Sequence, residues 1–333
     1  MLAWDVRSRQ FLALCVLTGC GFKTPAGVGI DATPDDAAQD GTEIDGATDA
    51  SIDGPIITSS CLAKWMAGTI RFNPATPLAT INTTTYERDP YVSPDELTLL
   101  FSSSRSPSMG MDVWMATRPS KLVPFANPTQ VAELNSPTNE TRAALSANGL
   151  IAMISTDRPT STGEFDVWQA TRPTTVAPFG APARTEVMSV ESTASEYDPT
   201  LADGGLHLYL APTSGGTQHI ALATRSSVGS SFGMPTTLTE LSGGNGDGDP
   251  TVSVDEKIIV FSSNRVGSGF AGGNLWYATR TSATAAFGTP SPVPDLNSAE
   301  SDGDPQLSDD GCHVYFARSN PTTDWDMYEA VAQ

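Results

Sequence analysis

The chain has 333 residues, 39% of them hydrophobic, and its 38 acidic against 18 basic side chains give a formal charge of −20 and a pI near 4.3. That hydrophobic content is enough to fill a packed core. The acidic balance leaves too few Lys and Arg to meet nucleic-acid phosphates, so nucleic acid is excluded as a partner.

In chain order, residues 1–19 (MLAWDVRSRQFLALCVLTG) set Arg7 and Arg9 before an apolar run, Phe11 to Gly19. The run is too short to span a bilayer and has the shape of a secretory signal. It ends in Leu17-Thr18-Gly19-Cys20, which resembles the lipobox of bacterial lipoproteins. That resemblance makes 1–19 a lipoprotein signal peptide and Cys20 the lipidated first residue of the mature chain. Several acyl chains hold a protein on a membrane without spanning it. Gly21 after the cysteine resembles outer-membrane sorting, so the expected localisation is exported and lipid-anchored to the cell envelope. Residues 20–60 follow as a tether: between 29 and 55 stand Asp31, Asp35, Asp36, Asp40, Glu43, Asp45, Asp49 and Asp53 and no basic residue. Such a stretch repels itself, has little apolar surface to bury and is predicted to be disordered and extended.

From residue 61 to 333 the chain repeats itself. DPYVSPDELTLLFSSSR begins at Asp89, DPTVSVDEKIIVFSSNR at Asp249 and DPQLSDDGCHVYFARSN at Asp304, with a further copy at Asp198 and a worn one, RAALSANGLIAMISTDR, at Arg142. A period of fifty-odd residues implies a propeller, solenoid or array. Each copy leads through a polar turn into an apolar run, such as Leu97–Phe101 or Ile258–Phe261, whose continuous hydrophobicity predicts a strand buried on both faces. A third strand follows at Asp112–Arg118, Asp166–Arg172, Asn274–Arg280 and Asp326–Ala330. A fourth is predicted at Phe125–Leu134, Phe179–Met188, Phe232–Leu241 and Phe287–Leu296. Four short strands per unit make one propeller blade. The last copy stops before its fourth strand, whereas Phe72–Asn82 matches Phe125–Asn135 and precedes the first copy. The prediction is therefore an all-β propeller of five four-stranded blades, closed by an N-terminal strand that removes two exposed sheet edges. A degenerate unit at Cys61–Arg71 would make it six. Closure also brings Cys61 near Cys312. In an oxidising compartment the two could form a disulfide; two buried free thiols are the alternative.

The repeat resembles the TolB-like β-propellers built from WD40-like Pro-Asp units: Asp89-Pro90 with Ser93-Pro94-Asp95 matches their Asp-Pro and Ser-Pro-Asp-Gly signature, as does Asp304-Pro305 with Ser308, Asp310 and Gly311. Copy two departs with Arg142-Ala143, and copy three with Ile220-Ala221 in place of Val-Trp. The resemblance covers about residues 61–333 and implies an envelope binding scaffold, without implying a chemistry.

Two residues before each repeat start lies an acid: Glu87, Glu140, Glu196, Asp247 and Asp302. With Asp89, Asp198, Asp249 and Asp304 they form the candidate site, a ring of carboxylates at one channel mouth that would attract a cation or a basic segment of a partner. The alternative is that these acids satisfy backbone donors in the turn leading into each blade. Asn245–Glu256 has superficial calcium-loop spacing, but Pro250 stands where glycine is needed, so no metal site is assigned and no cofactor is called. Gly267–Gly272 is a loop before a strand, without the helix a phosphate site needs. His207 and His313 share one packing position, Trp114, Trp168 and Trp276 share another, and no His-Glu-x-x-His occurs. The sequence thus reads as a non-catalytic envelope lipoprotein that binds an envelope protein or glycan. The alternative is a glycan-active hydrolase or lyase using channel-mouth carboxylates.

Overall fold

The computed structural model describes residues 59–333 apart from 109, 160–162, 185–186, 188–189, 191, 244–245, 270–271 and 323. The signal peptide, Cys20 and the tether as far as residue 58 lie outside the described residues.

Each repeat starts its hairpin with side chains that replace backbone partners. The Ser93 hydroxyl accepts the Thr98 N–H at 3.0 Å and the Asp95 carboxylate accepts the Leu97 N–H at 3.0 Å. Ser146 with Asn148, Ser253 with Asp255, and Ser308 with Asp310 repeat the device. In blade 3 Ala202 lacks the hydroxyl, and a single 3-10 turn, Asp203–Gly205, reverses the chain. First strands run Glu87–Val92, Glu140–Leu145, Glu196–Ala202, Asp247–Val252 and Asp302–Leu307. Second strands are Thr98–Ser103, Ile151–Thr156, His207–Ser214, Ile258–Ser263 and His313–Asn320, and third strands Asp112–Thr117, Asp166–Thr171, Ala221–Thr224, Asn274–Thr279 and Asp324–Val331. All neighbours within a blade pair antiparallel. The second strands are the core: Leu99, Phe101, Met153, Ile154, Leu208, Tyr209, Val260, Phe261, Tyr315 and Phe316 are fully buried, because each sheet is covered by a neighbour on both faces.

The five first strands form a closed cycle, each touching those of the preceding and following blades, and the last touching the first. Thr76–Pro77 completes the fifth sheet, with Thr76 opposite Glu329 and Pro77 opposite Tyr328, and Phe72 bridges Ala332. The propeller therefore has five blades and its seam is an N-terminal strand. The fourth strands are much shorter than predicted: Ala126–Gln130 pairs, but Thr236–Thr237 and Ser291–Pro292 are two residues each, and among the described residues blade 2 has a single bridge, Gln169–Ala183. Pro128, Pro182, Pro235 and Pro290 explain this, since a residue without an N–H is confined to a sheet edge and interrupts the ladder.

The segment considered as a sixth blade is instead the helix Ser60–Met66. Ser59 caps it by accepting the Leu62 N–H, and Leu62 and Trp65, three apart, share its buried face. Cys61 and Cys312 are joined in a disulfide, with their Cα atoms 5.2 Å apart.

The helix also stands in for a missing arginine. In blades 1 to 4 an arginine after the third strand donates from Nε to the hairpin-turn carbonyl: Arg118 to Glu96 at 2.6 Å, Arg172 to Gly149 at 2.7 Å, Arg225 to Gly205 at 2.8 Å, Arg280 to Glu256 at 2.6 Å. Each guanidinium lies 4.2–4.4 Å over the phenylalanine that opens the fourth segment, namely Phe125, Phe179, Phe232 and Phe287. Blade 5 has no such arginine. Trp65 Nε1 donates to the Gly311 carbonyl at 2.9 Å and its ring packs 5.6 Å from Phe72.

Candidate functional site

The nine predicted carboxylates divide into two sets. Glu87, Glu140, Glu196, Asp247 and Asp302 are buried at the start of their own blades. Glu87 accepts the Thr83 N–H and hydroxyl and the Ser103 hydroxyl; Glu140 takes the same from Ser136 and Thr156, and Asp302 from Ser298. Arg105, Arg158, Arg265 and Arg318 close over Glu87, Glu140, Asp247 and Asp302. These five therefore hold the loop leading into each blade, and Asp302 also reaches a cavity. Blade 3 has Ser214 where blades 1, 2 and 4 place this arginine, and blade 5 has Asn320 there with its arginine two residues earlier. Burial, followed by Asp166 beside it, pushes Glu196 up to about 7 despite its bond from Ser192.

The second set lies on the axis. Asp89, Asp198, Asp249 and Asp304 each interrupt their first strand with a β-bulge and a positive φ of 52–59°. A bulge re-aims a side chain out of the alternating pleat, and aspartate adopts this conformation more readily than other non-glycine residues. Each carboxylate then reaches the next blade: Asp89 accepts the Arg142 N–H at 3.3 Å, Asp198 that of Asp249 at 3.2 Å, and Asp249 that of Asp304 at 3.3 Å. Arg142, at the same position of blade 2 with φ 42°, is fully buried. Its Nη2 donates to the carbonyls of Pro250 and Pro305 and approaches Thr200, three residues on three other blades. One guanidinium reaching three other blades from its own marks the axis. The worn copy of the repeat thus supplies an axial cation, and Arg88, paired with Asp304 at 2.8 and 3.1 Å, supplies a second at the mouth.

Four carboxyls against two guanidiniums cannot all ionise at low cost. Burial, then Asp304, pushes Asp89 up to about 6 against Arg88 and Arg142. Burial, then Asp89, does the same for Asp198. Asp249 lies well above the carboxylate range through burial and the charges of Asp198 and Asp304. Asp304 goes the other way: burial is outweighed by Arg88 and Arg142, which hold it below. Asp249 in turn favours the ionised form of both Asp198 and Asp304.

Asp249 and Asp304 line a cavity of about 220 Å³ with Arg88, Gln218, Asn264 and Trp325. Its opening depends on Gly248 and Gly303, which occupy the place of Arg88, Thr141 and Tyr197 in the other blades. A Cβ on Gly303 would stand 3.7 Å from the Trp325 ring, and one on Gly248 3.4 Å from Asp198 and Gln218. Arg88 lies 5.4 Å over Trp325. Sequence reasoning passed over Trp325, because blade 5 departs from the Val-Trp register of the other third strands. The signal available was the Gly-Asp-Pro of blades 4 and 5.

No family model and no curated protein matches the chain. Among solved structures it is similar to TolB from Acinetobacter baumannii, with 11% identity over 81% of this chain and 67% of that one and a TM-score of 0.46. The catalytic domain of a GH62 α-L-arabinofuranosidase from Coprinopsis cinerea gives 10% over 79% and 97%, with a TM-score of 0.52. An α-L-arabinofuranosidase from Lactobacillus brevis gives 11% over 77% and 94%, with a TM-score of 0.51. The likeness is one of fold. It corrects the expectation that this propeller is not an enzyme, because glycoside hydrolases stand among the chain's fold neighbours.

Proposed function

We propose that the protein acts on a glycan at the axial mouth, with Asp249 as proton donor and Asp304 as the ionised carboxylate beside it. The observation that carries the reading is that the two carboxyls face one cavity with opposite shifts, Asp249 raised by burial and neighbouring carboxylates and Asp304 held down against burial by Arg88 and Arg142. Glycosidic cleavage needs an acid that keeps its proton near neutral pH and a carboxylate that does not. Trp325 offers the sugar an apolar face, while Arg88, Gln218 and Asn264 offer hydrogen-bonding groups for its hydroxyls. Asp249 would give its proton to the leaving-group oxygen as the glycosidic bond breaks, and Asp304 would take one from the water that adds to the anomeric carbon, so one carboxyl is deprotonated as the other is protonated. The α-L-arabinofuranosidases among the fold neighbours support this reading.

The cystine supports an oxidising, exported setting. Together with the lipobox it leads us to propose anchoring through lipid on Cys20. Among the described residues no helix is long and apolar enough to cross a membrane. The test is release of reducing sugar from envelope and plant-type polysaccharides and aryl glycosides. Asp249→Asn is expected to lower kcat about a hundredfold or more, and Trp325→Ala to raise KM with less effect on kcat. A wild-type protein that cleaves none of these substrates, or an Asp249→Asn variant as active as wild type, defeats the reading.

A further inference from the structure

The seams between blades follow one plan, which makes each a template for the others. At the seam of blades 5 and 1, Glu96 from the hairpin turn meets Arg118 at 3.5 Å, Tyr315 at 2.8 Å and His313 at 2.7 Å. At the seam of blades 3 and 4 the same parts recur: Glu256 with Arg280 at 3.4 Å, Tyr209 at 2.5 Å and His207 at 2.8 Å. Ile151 and the amide of Gln169 meet Gly205 and Arg225 between blades 2 and 3. Leu62 and Trp65 fill the place beside Gly311 between blades 4 and 5.

The seam of blades 1 and 2 has none of these fillings. The turn residue is Gly149 where the sister seams have glutamate, and Thr98 and Leu100 stand where they have histidine and tyrosine. The result is a groove of about 940 Å³, against about 260 Å³ beside Arg118 at the sister seam. Its walls are Tyr91, Leu100, Met115, Val131, Leu145 and Phe179. Arg172 keeps its Nε bond to Gly149 and its place over Phe179, but among the described residues its Nη groups form no hydrogen bond or ion pair, and the Tyr91 phenol is the group whose charge it senses. The lining acids Asp95 and Glu133 are exposed at the rim, and Asp95 is held by Ser93 and the Leu97 N–H.

We propose that this groove binds a monocarboxylic acid with an aryl or acyl body, its carboxylate on the Arg172 guanidinium and its body against Leu100, Met115 and Val131. The sister seams show both halves of the contact within the same chain. A glutamate carboxylate sits on the equivalent arginine, and a tyrosine ring fills the space above the equivalent strand. A bidentate carboxylate satisfies guanidinium donors that are otherwise left to water, and apolar walls reward a hydrophobic body. The two rim acids disfavour polyanions, which selects a single negative charge. The site lies apart from the axial cavity and stands or falls independently of it.

The test is calorimetric titration of the full mature chain with phenylacetate and octanoate, each set against its neutral amide. Saturable binding of at least one acid is expected, about tenfold tighter than its amide, with a similar loss in Arg172→Gln. The combined variant Thr98→His, Leu100→Tyr, Gly149→Glu rebuilds the sister seam. It is expected to fold, because Glu96 and Glu256 hold the same turn position at φ 57° and 53° where Gly149 has 69°, and to bind neither acid. It keeps the test decisive should Arg172→Gln fail to fold. No saturable binding of either acid, equal binding of acid and amide, or undiminished binding by the filled variant would each overturn the proposal. Asp249→Asn should leave this binding unchanged.

Discussion

Replacing Cys61 and Cys312 together by serine is expected to lower the free energy of unfolding by about 4 to 5 kcal/mol. The bond joins residues 251 apart in sequence, so nearly the whole ring is the loop it closes. Chain-entropy stabilisation grows with the logarithm of loop length. The bond also ties down the helix that carries Trp65, the residue standing in for the arginine of blade 5. Without the covalent tie, the pairing at Thr76–Pro77, the Phe72 bridge, the bonds of Asn73, Leu78 and Asn82 to the last strand and the burial of Leu62 and Trp65 must hold the seam. Denaturant unfolding of the double serine variant, and of the wild type in reductant, reads the difference, and the two midpoints should agree. A midpoint equal to that of the oxidised wild type would show that strand pairing alone closes the propeller.

Arg142→Met is expected to cost about 3 to 5 kcal/mol near neutral pH, the range for removing one partner of a buried ionic cluster. The loss should shrink in acid. Asp89 and Asp198 have folded values of about 6, above the usual aspartate range, so the folded state binds protons more tightly than the unfolded chain. The stability tied to those protons is complete below about pH 4 and is lost as pH rises through about 6. Arg142 lowers both carboxyls. Its removal pushes their folded values higher and widens the window in which ionisation opposes folding. Unfolding free energies of wild type and variant should therefore lie closer together near pH 4 than near pH 7.5. A deficit independent of pH would assign Arg142 to packing alone.

The architecture could be read from the sequence because the features that make a blade are local and recur. A Ser-x-Asp turn, a second strand apolar at every position, and a phenylalanine with proline close behind it each act within a few residues. The completing segment was visible for the same reason, since Phe72–Asn82 carries the signature of a fourth strand in the wrong place along the chain. The helix Ser60–Met66 was not, because it belongs to no repeat and its role, filling the place of an arginine, exists only once the ring is closed.

The candidate site was legible as a list and misread as an arrangement. Glu87 and Asp89 are two apart, so a regular strand would aim both the same way. The bulge at Asp89 sends one to the axis and leaves the other to cap its own loop, and hydrophobic periodicity carries no record of a bulge. Arg142 looked like decay of the motif, because a single guanidinium balancing carboxyls from three other blades becomes visible only in three dimensions.

The account rests on one carboxyl of the axial ring keeping its proton while its neighbour does not. Carbon NMR of carboxyl-labelled aspartate, followed from about pH 4 to pH 8 in wild type and Asp249→Asn, measures this directly. One buried resonance should remain protonated at pH 7 and be missing in the variant, with Asp304 ionised throughout. Four axial carboxyls all ionised by pH 5 would contradict it.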